Sequence, residues 1–76
     1  MDIQMTDVMI RIEEDLDEWQ RNILEDHMRM QDGVIGIGYN ASDPHIMMVG
    51  YQPEQTSAKH FLRMVERHGY HATRVS

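Results

Sequence analysis

The strongest constraint on the fold of this chain is the order in which strand-like and helix-like hydrophobic patterns follow one another. Residues 8–12 alternate apolar and polar side chains, which is the pattern of a strand with one buried face. The acidic stretch 13–18 comes next and predicts the start of a helix that runs to about Met30, with Asp15 or Asp17 as its N-cap. The buried face of this helix is expected to be formed by Leu16, Trp19, Ile23 and Met30, widened by Leu24 and Met28.

Three later segments have the composition of strands. Gly33 ends the first helix, and residues 34–39 and 46–51 are apolar runs separated by a loop of turn-forming residues. The glycines of the first run indicate an exposed face or a bulge. Pro53 ends the second run, and residues 71–75 are expected to form a last short strand.

A second helix is predicted between the last two of these strands. Thr56 or Ser57 is suited to cap its start, and Gly69 stands where a glycine commonly follows a helix end. Its apolar residues recur at i, i+3, i+4 and i+7, the spacing of a single buried face: Ala58, Phe61, Leu62 and Val65.

The resulting order is strand, helix, strand, strand, helix, strand. Two right-handed crossovers satisfy this order by placing both helices on one face of a four-stranded antiparallel sheet and leaving the other face open. We therefore expect an α+β fold, a ferredoxin-like βαββαβ sandwich, in which residues 1–76 form a single domain.

The charge balance restricts the possible partners. With 13 acidic and 7 basic residues the chain has a formal net charge of −6, which repels phosphate backbones and anionic lipid. We expect neither nucleic acid nor a membrane as partner, and favour a basic protein, a second copy of the chain or a cation. No apolar run approaches the ~20 residues of a membrane span, and residues 1–4 lack the basic-then-apolar order of a signal peptide, so a cytoplasmic protein is expected.

The chain has no cysteine, which excludes disulfides, thiolate metal ligands and thiol catalysis together.

Three short motifs, in order along the chain, resemble the heavy-metal-associated family of copper chaperones and P-type ATPase metal domains. They are Gly33-Val34, Tyr51-Gln52-Pro53 and Gly69-Tyr70-His71-Ala72. The second is similar to the family's Tyr-Asp-Pro and the third to its Gly-Tyr-x-Ala. The likeness extends over roughly residues 8–75 and implies the same βαββαβ fold.

The resemblance also implies a metal-binding loop between the first strand and the first helix, where the family has Met-x-Cys-x-x-Cys and two thiolates bind a soft ion such as Cu(I). Counting back from Gly33 places the two sulfur positions at Asp17 and Gln20, and a slip of one residue places them at Leu16 and Trp19. Neither alignment supplies a thiol. Soft-ion selection depends on polarizable sulfur, so the scaffold carries over without the family's transfer chemistry.

The acidic loop is the first candidate site. Its carboxylates can offer oxygen ligands to a hard divalent cation, and the resemblance places Tyr70 and His71 nearby. The alternative is helix capping by a solvated acidic face. Trp19 and Tyr70, which are expected to be exposed, also suit docking of a protein partner. The candidate binding residues are Glu14, Asp15, Asp17, Trp19, Tyr70 and His71.

Methionine and histidine give the remaining signals. Met9 points away from the buried face of the first strand, and either Met47 or Met48 must point the same way, which can bring thioethers together for Cu(I) or Ag(I). The alternative is that methionine fills the core or forms an adaptable contact surface. The five histidines are scattered without the spacing of a zinc site. His27 is expected to be a half-buried core residue, and His68 to interact with the negative end of the second helix.

Three functions follow as hypotheses. The first is a non-enzymatic binding module that acts through protein contacts, or through weak non-thiolate binding of a transition-metal ion, in a metal-handling context. The alternative is a metal carrier that uses Met and His ligands for Cu(I) or Ag(I). A minor alternative is an acylphosphatase-like enzyme. The sequence has no identifiable nucleophile, base or phosphate-binding loop for that activity.

Overall fold

Four strands and two helices follow one another in the predicted order in the computed structural model, which describes residues 4–75. The expected cytoplasmic location rests partly on residues 1–4, and residues 1–3 lie outside the part of the chain that the structure describes. The last strand is shorter than the predicted 71–75. The elements are β1 (Thr6–Ile12), α1 (Glu18–Arg29), β2 (Val34–Tyr39), β3 (Ile46–Tyr51), α2 (Ala58–Arg67) and β4 (Ala72–Arg74).

The strands form one antiparallel sheet in the order β2-β3-β1-β4. β1 is central and pairs with β3 from Thr6 opposite Tyr51 to Arg11 opposite Ile46. Both helices pack on the face that carries the inward side chains of β1, so the predicted ferredoxin-like sandwich is confirmed. Neither helix in residues 4–75 is both long and apolar enough to cross a membrane.

The core lies between this face and the two helices. The alternation predicted for β1 is confirmed, since Val8, Ile10 and Ile12 are buried while Met9 and Arg11 are not. The ring of Phe61 on α2 meets the ring of Tyr51 on β3 edge to face, with centroids 5.1 Å apart, an arrangement that aromatic pairs favour.

Helix α2 forms as its sequence predicts. Ser57 is the N-cap and accepts a hydrogen bond from the His60 amide, and Gly69 follows the C-cap with a φ of 91°. A left-handed backbone of this kind favours glycine, which has no Cβ to clash. The predicted stripe is buried or partly buried and is joined by Met64: Ala58, Phe61, Leu62, Met64 and Val65.

Helix α1 begins at Glu18, as an N-cap at Asp17 predicts, and the acidic residues before it form a loop. It differs from its prediction in the face that it buries. Leu24 and Met28 are fully buried, whereas Trp19 and Met30 leave 74% and 78% of their surfaces exposed. Ile23 is exposed as well, so the expected buried face that grouped these residues is wrong. At 100° per residue, the exposed stripe is about 140° from the buried one, and only one of them can face the sheet.

Candidate functional site

The acidic loop between β1 and α1 is joined to the start of β4. The Nδ1 of His71 donates to Oε2 of Glu14 at 2.6 Å, and the His71 amide donates to Oε1 of the same carboxylate at 2.7 Å. The amide of Glu13 donates in turn to the His71 carbonyl at 2.9 Å. Three hydrogen bonds therefore join the β1–α1 loop to the residue that precedes β4, although Glu14 and His71 are 57 positions apart in sequence.

This contact shifts the titration of both partners. The side-chain hydrogen bond from His71, followed by the one from its amide, lowers the pKa of the Glu14 carboxyl below its ordinary value of 4.5. The hydrogen bond to Glu14, followed by the negative charge of that carboxylate, raises the pKa of the His71 imidazole above 6.5. Each group is therefore charged over a wider pH range than it would be alone.

Asp15 has a different partner. Its Oδ1 lies 2.9 Å from Nε2 of His45, whose Nδ1 donates to the Ile12 carbonyl at 2.7 Å. The imidazole thus joins the loop to the end of β1. Beside this contact lies a cavity of about 260 Å³ lined by Glu14, Asp15, Leu16, Arg21, Pro44 and His45.

Asp17 begins helix α1. Its Oδ1 accepts from the Gln20 amide at 2.8 Å, and the Gln20 side chain accepts from the Asp17 amide at 3.0 Å, a reciprocal capping box. The prediction of Asp17 as one of two possible N-caps is therefore confirmed. Counted back from Gly33, these two residues are also the positions at which the resemblance implies thiols.

The structure brings only part of the predicted site together. Glu14 meets His71, but Asp15 and Asp17 each bond to another partner. Tyr70 packs against the core and stacks on His68, with centroids 6.3 Å apart. Trp19 stands largely in solvent. Within residues 4–75 no three His, Asp or Glu side chains are arranged to hold a metal ion.

The open face of the sheet carries thioethers. Met9 and Met48 are register partners on β1 and β3, whereas Met47 is fully buried. Met48, and not Met47, therefore shares the open face with Met9. The Met5 sulfur also lies there, 3.9 Å from the position that a Cβ on Gly50 would take.

A contact that the sequence did not predict joins the two helices. Nδ1 of His27 lies 2.8 Å from Nε2 of His68. His27 is exposed, so its expected place in the core is wrong: its side chain extends beside the buried stripe of α1 toward the end of α2. Burial, and then the nearby His27, lower the pKa of His68 below 6.5. No spacing rule connects residues 41 positions apart, so only the packing of the helices reveals this pair.

Two solved structures superpose on almost the whole chain. Oxidized MerP from Ralstonia metallidurans CH34 aligns with a TM-score of 0.82 and 11% identity, over 96% of this chain and 100% of that one. A copper binding domain from HMA7, a P-type ATPase, aligns with a TM-score of 0.81 and 13% identity, over 92% and 93%. The chain has the ferredoxin-like fold of the heavy-metal-associated domains. A scan of protein-family models and a sequence search of curated proteins find no match, so the likeness establishes the fold alone.

Proposed function

We propose that this chain is a non-enzymatic binding module that docks a basic protein surface through its acidic β1–α1 loop and Trp19. One observation carries the proposal. The carboxylates of Glu14, Asp15 and Asp17 are held in place by contacts within the domain, while Trp19 beside them leaves 74% of its surface exposed. A charged loop that is tied to the domain by these contacts, next to a large exposed aromatic side chain, has the composition of an interface hot spot with a polar rim.

Electrostatics favour a basic partner. Glu13, Asp15 and Glu18 are exposed around Trp19 in sequence, and the chain as a whole has a formal net charge of −6. Such a surface attracts a positively charged protein and accelerates its association at low ionic strength. The likeness of the fold to a copper binding domain supports a metal-handling context for this interaction. Soft-ion capture by the loop itself is not part of the proposal, because the chain has no thiol.

The proposal can be tested with Trp19 as the reporter, since it is the single tryptophan of the chain. We expect a synthetic amphipathic peptide rich in lysine and leucine to shift its fluorescence to shorter wavelength, saturably, with an affinity that falls as salt is added. The double variant Glu13→Gln/Glu18→Gln should weaken this binding. The matched control Asp32→Asn/Glu54→Gln removes the same charge from the connections after α1 and β3 and should bind like the wild type.

Three results would contradict the proposal. One is the absence of a saturable shift, and another is equal weakening in both double variants. The third is tight capture of Cu(I) or Ag(I) by residues 13–20, seen as localised amide shifts in an NMR titration. The alternative is that a second copy of the chain binds the same surface. Sedimentation velocity of the wild type and of Trp19→Ala distinguishes this self-association from docking of the peptide.

A second function, a thioether carrier for Cu(I) or Ag(I), is favoured by the pairing of Met9 with Met48 and by the place of the Met5 sulfur on the same face. We expect silver to shift the methyl signals of these residues saturably, and Met9→Leu/Met48→Leu to abolish the shift. Met30→Leu is the control, because Met30 is exposed at the C-cap of α1 instead. Silver binding that survives the double substitution would exclude this site.

A further inference from the structure

A cleft between the helices lies on the side of the domain opposite the open sheet face. It has a volume of about 330 Å³ and is lined by His27, Gln31, His60, Met64, Arg67 and His68. Three of the five histidines of the chain thus line one cleft. Neither the fold nor the acidic loop accounts for this grouping.

Two of these imidazoles point ring nitrogens at each other. Nδ1 of His27 and Nε2 of His68 are 2.8 Å apart, and the ring centroids are 4.7 Å apart. Two imidazole ligands of one zinc ion, each bonded at about 2.0–2.1 Å, hold their nitrogens about 3.3 Å apart in tetrahedral geometry. The observed pair therefore needs to open by about 0.5 Å to hold an ion, which small side-chain rotations supply.

The chemistry of the pair also suits an ion. As a hydrogen bond, the contact uses one proton between two nitrogens, and the ring that donates it can carry that proton on its other nitrogen instead. Both lone pairs then face the same point. His68 is further oriented by stacking on Tyr70, with an angle of 11° between the rings. Such supporting contacts commonly fix the direction of a metal ligand.

His60 differs from this pair although it lines the same cleft. Its Nε2 lies 2.9 Å from the side-chain oxygen of Gln31, so this nitrogen donates to an amide oxygen. His60 and His68 are eight residues apart, about 12 Å along an α-helix.

We propose that His27 and His68 form a two-imidazole site for a borderline divalent ion such as Zn²⁺, with solvent in the remaining coordination positions. Imidazole nitrogen suits zinc, copper and nickel, whereas two neutral rings give no advantage to hard ions such as Mg²⁺. The site is separate from the acidic loop and from the thioethers of the open face. The positive charge of Arg67 at its rim opposes the ion.

Zinc titration of the ¹⁵N-labelled protein tests the site, with long-range ¹H–¹⁵N spectra that resolve the two nitrogens of each ring. We expect saturable shifts at Nδ1 of His27 and Nε2 of His68, and at amides near the ends of both helices. His27→Gln should abolish saturable binding without unfolding the protein, because His27 is exposed. His68→Gln should do the same, and the amide spectrum reports whether each variant remains folded.

Two further variants sharpen the result. His60→Gln should bind zinc like the wild type, and Arg67→Gln should bind it more tightly because a repulsive charge is gone. The proposal is overturned if zinc shifts His45 or His71 in place of the pair, if binding survives His27→Gln, or if millimolar zinc produces no saturable shift. Equal loss in His60→Gln also contradicts it.

Discussion

Helices α1 and α2 pack on the same face of the sheet but use their apolar side chains differently. Helix α2 turns its apolar residues to the core, with Phe61 and Val65 fully buried. Helix α1 has two apolar stripes. Leu24 and Met28 face the core, while Trp19, Ile23 and Met30 face solvent.

This difference separates residues that make the fold from residues that remain available for contacts. A domain of this size has a small core, and each helix can contribute one stripe to it. An apolar stripe left outside adds little to stability, whereas exposed aromatic side chains favour protein interfaces. The sheet shows the same division, since Val8 and Ile10 face the helices while Met9 and Met48 face outward.

The largest predicted effect tests this division directly. Phe61→Ala should lower the free energy of unfolding by about 3–5 kcal/mol and Leu24→Ala by about 2–5 kcal/mol, because each leaves a cavity in a closed core. Trp19→Ala should change it by about 0.5 kcal/mol or less, since an exposed side chain loses little packing. Urea denaturation followed by circular dichroism measures all three. A cost for Trp19→Ala near that of Phe61→Ala would show that the two faces of α1 are wrongly assigned.

The sequence predicted the elements whose pattern admits one solution. The alternation in β1 and the single stripe of α2 each have one way to face a core. Ser57 has a side chain suited to a helix start, and Gly69 has the backbone freedom that a helix end uses. The pattern of α1 admits two solutions, because its apolar residues lie on both sides of the helix. The choice between them is made by packing against the rest of the core, which buries Leu24 and Met28.

Substituting the glycines that follow the two helices should have the next largest effect on the free energy of unfolding. Gly33 and Gly69 have φ values of 90° and 91°, but a Cβ on Gly33 would lie 2.8 Å from Cβ of Gln55, whereas one on Gly69 meets nothing within 4 Å. Gly69→Ala should therefore cost only the left-handed strain, about 1–2 kcal/mol. Gly33→Ala should cost about 2–3 kcal/mol, because the contact with Gln55 adds to the strain.

The same denaturation experiment separates the two positions. Gly36→Ala serves as the control, since Gly36 has no positive φ and a Cβ there meets nothing within 4 Å. Equal costs at Gly33 and Gly69 would mean that the connection after β3 moves aside freely, and that the close approach adds nothing to the strain.

The candidate site was less predictable than the fold, because its contacts join distant parts of the chain. Composition indicated an acidic loop, and the resemblance placed His71 near it, which the hydrogen bond to Glu14 agrees with. Neither indicated that His45 reaches Asp15 or that His27 reaches His68. These contacts depend on how loops and helix ends meet in space, and no periodicity in the sequence records that.

The smallest predicted effect is the pH dependence of the Glu14–His71 contact. The folded pKa of His71 is raised, so its contribution to stability is complete below the ordinary 6.5 and is lost as the pH rises through the raised value. The folded pKa of Glu14 is lowered, so its contribution is present above 4.5 and is lost as the pH falls through the lowered value. The contact therefore supports the fold most between these ordinary values. Because His71 is 84% exposed, solvent screening keeps the effect small.

Glu14→Gln isolates this contribution, since the amide oxygen can still accept from the His71 backbone while the charge is gone. We expect the NMR-measured pKa of His71 to fall toward its ordinary value, and the stability difference from the wild type to be larger at about pH 5.5 than at about pH 8.5. Glu54→Gln, on the connection between β3 and α2, should leave both unchanged. If the pKa of His71 were the same in Glu14→Gln and in the wild type, the loop would not be fixed by this charge pair. Trp19 would then lie beside a loop whose position is set by the Asp15–His45 contact and the capping box of α1.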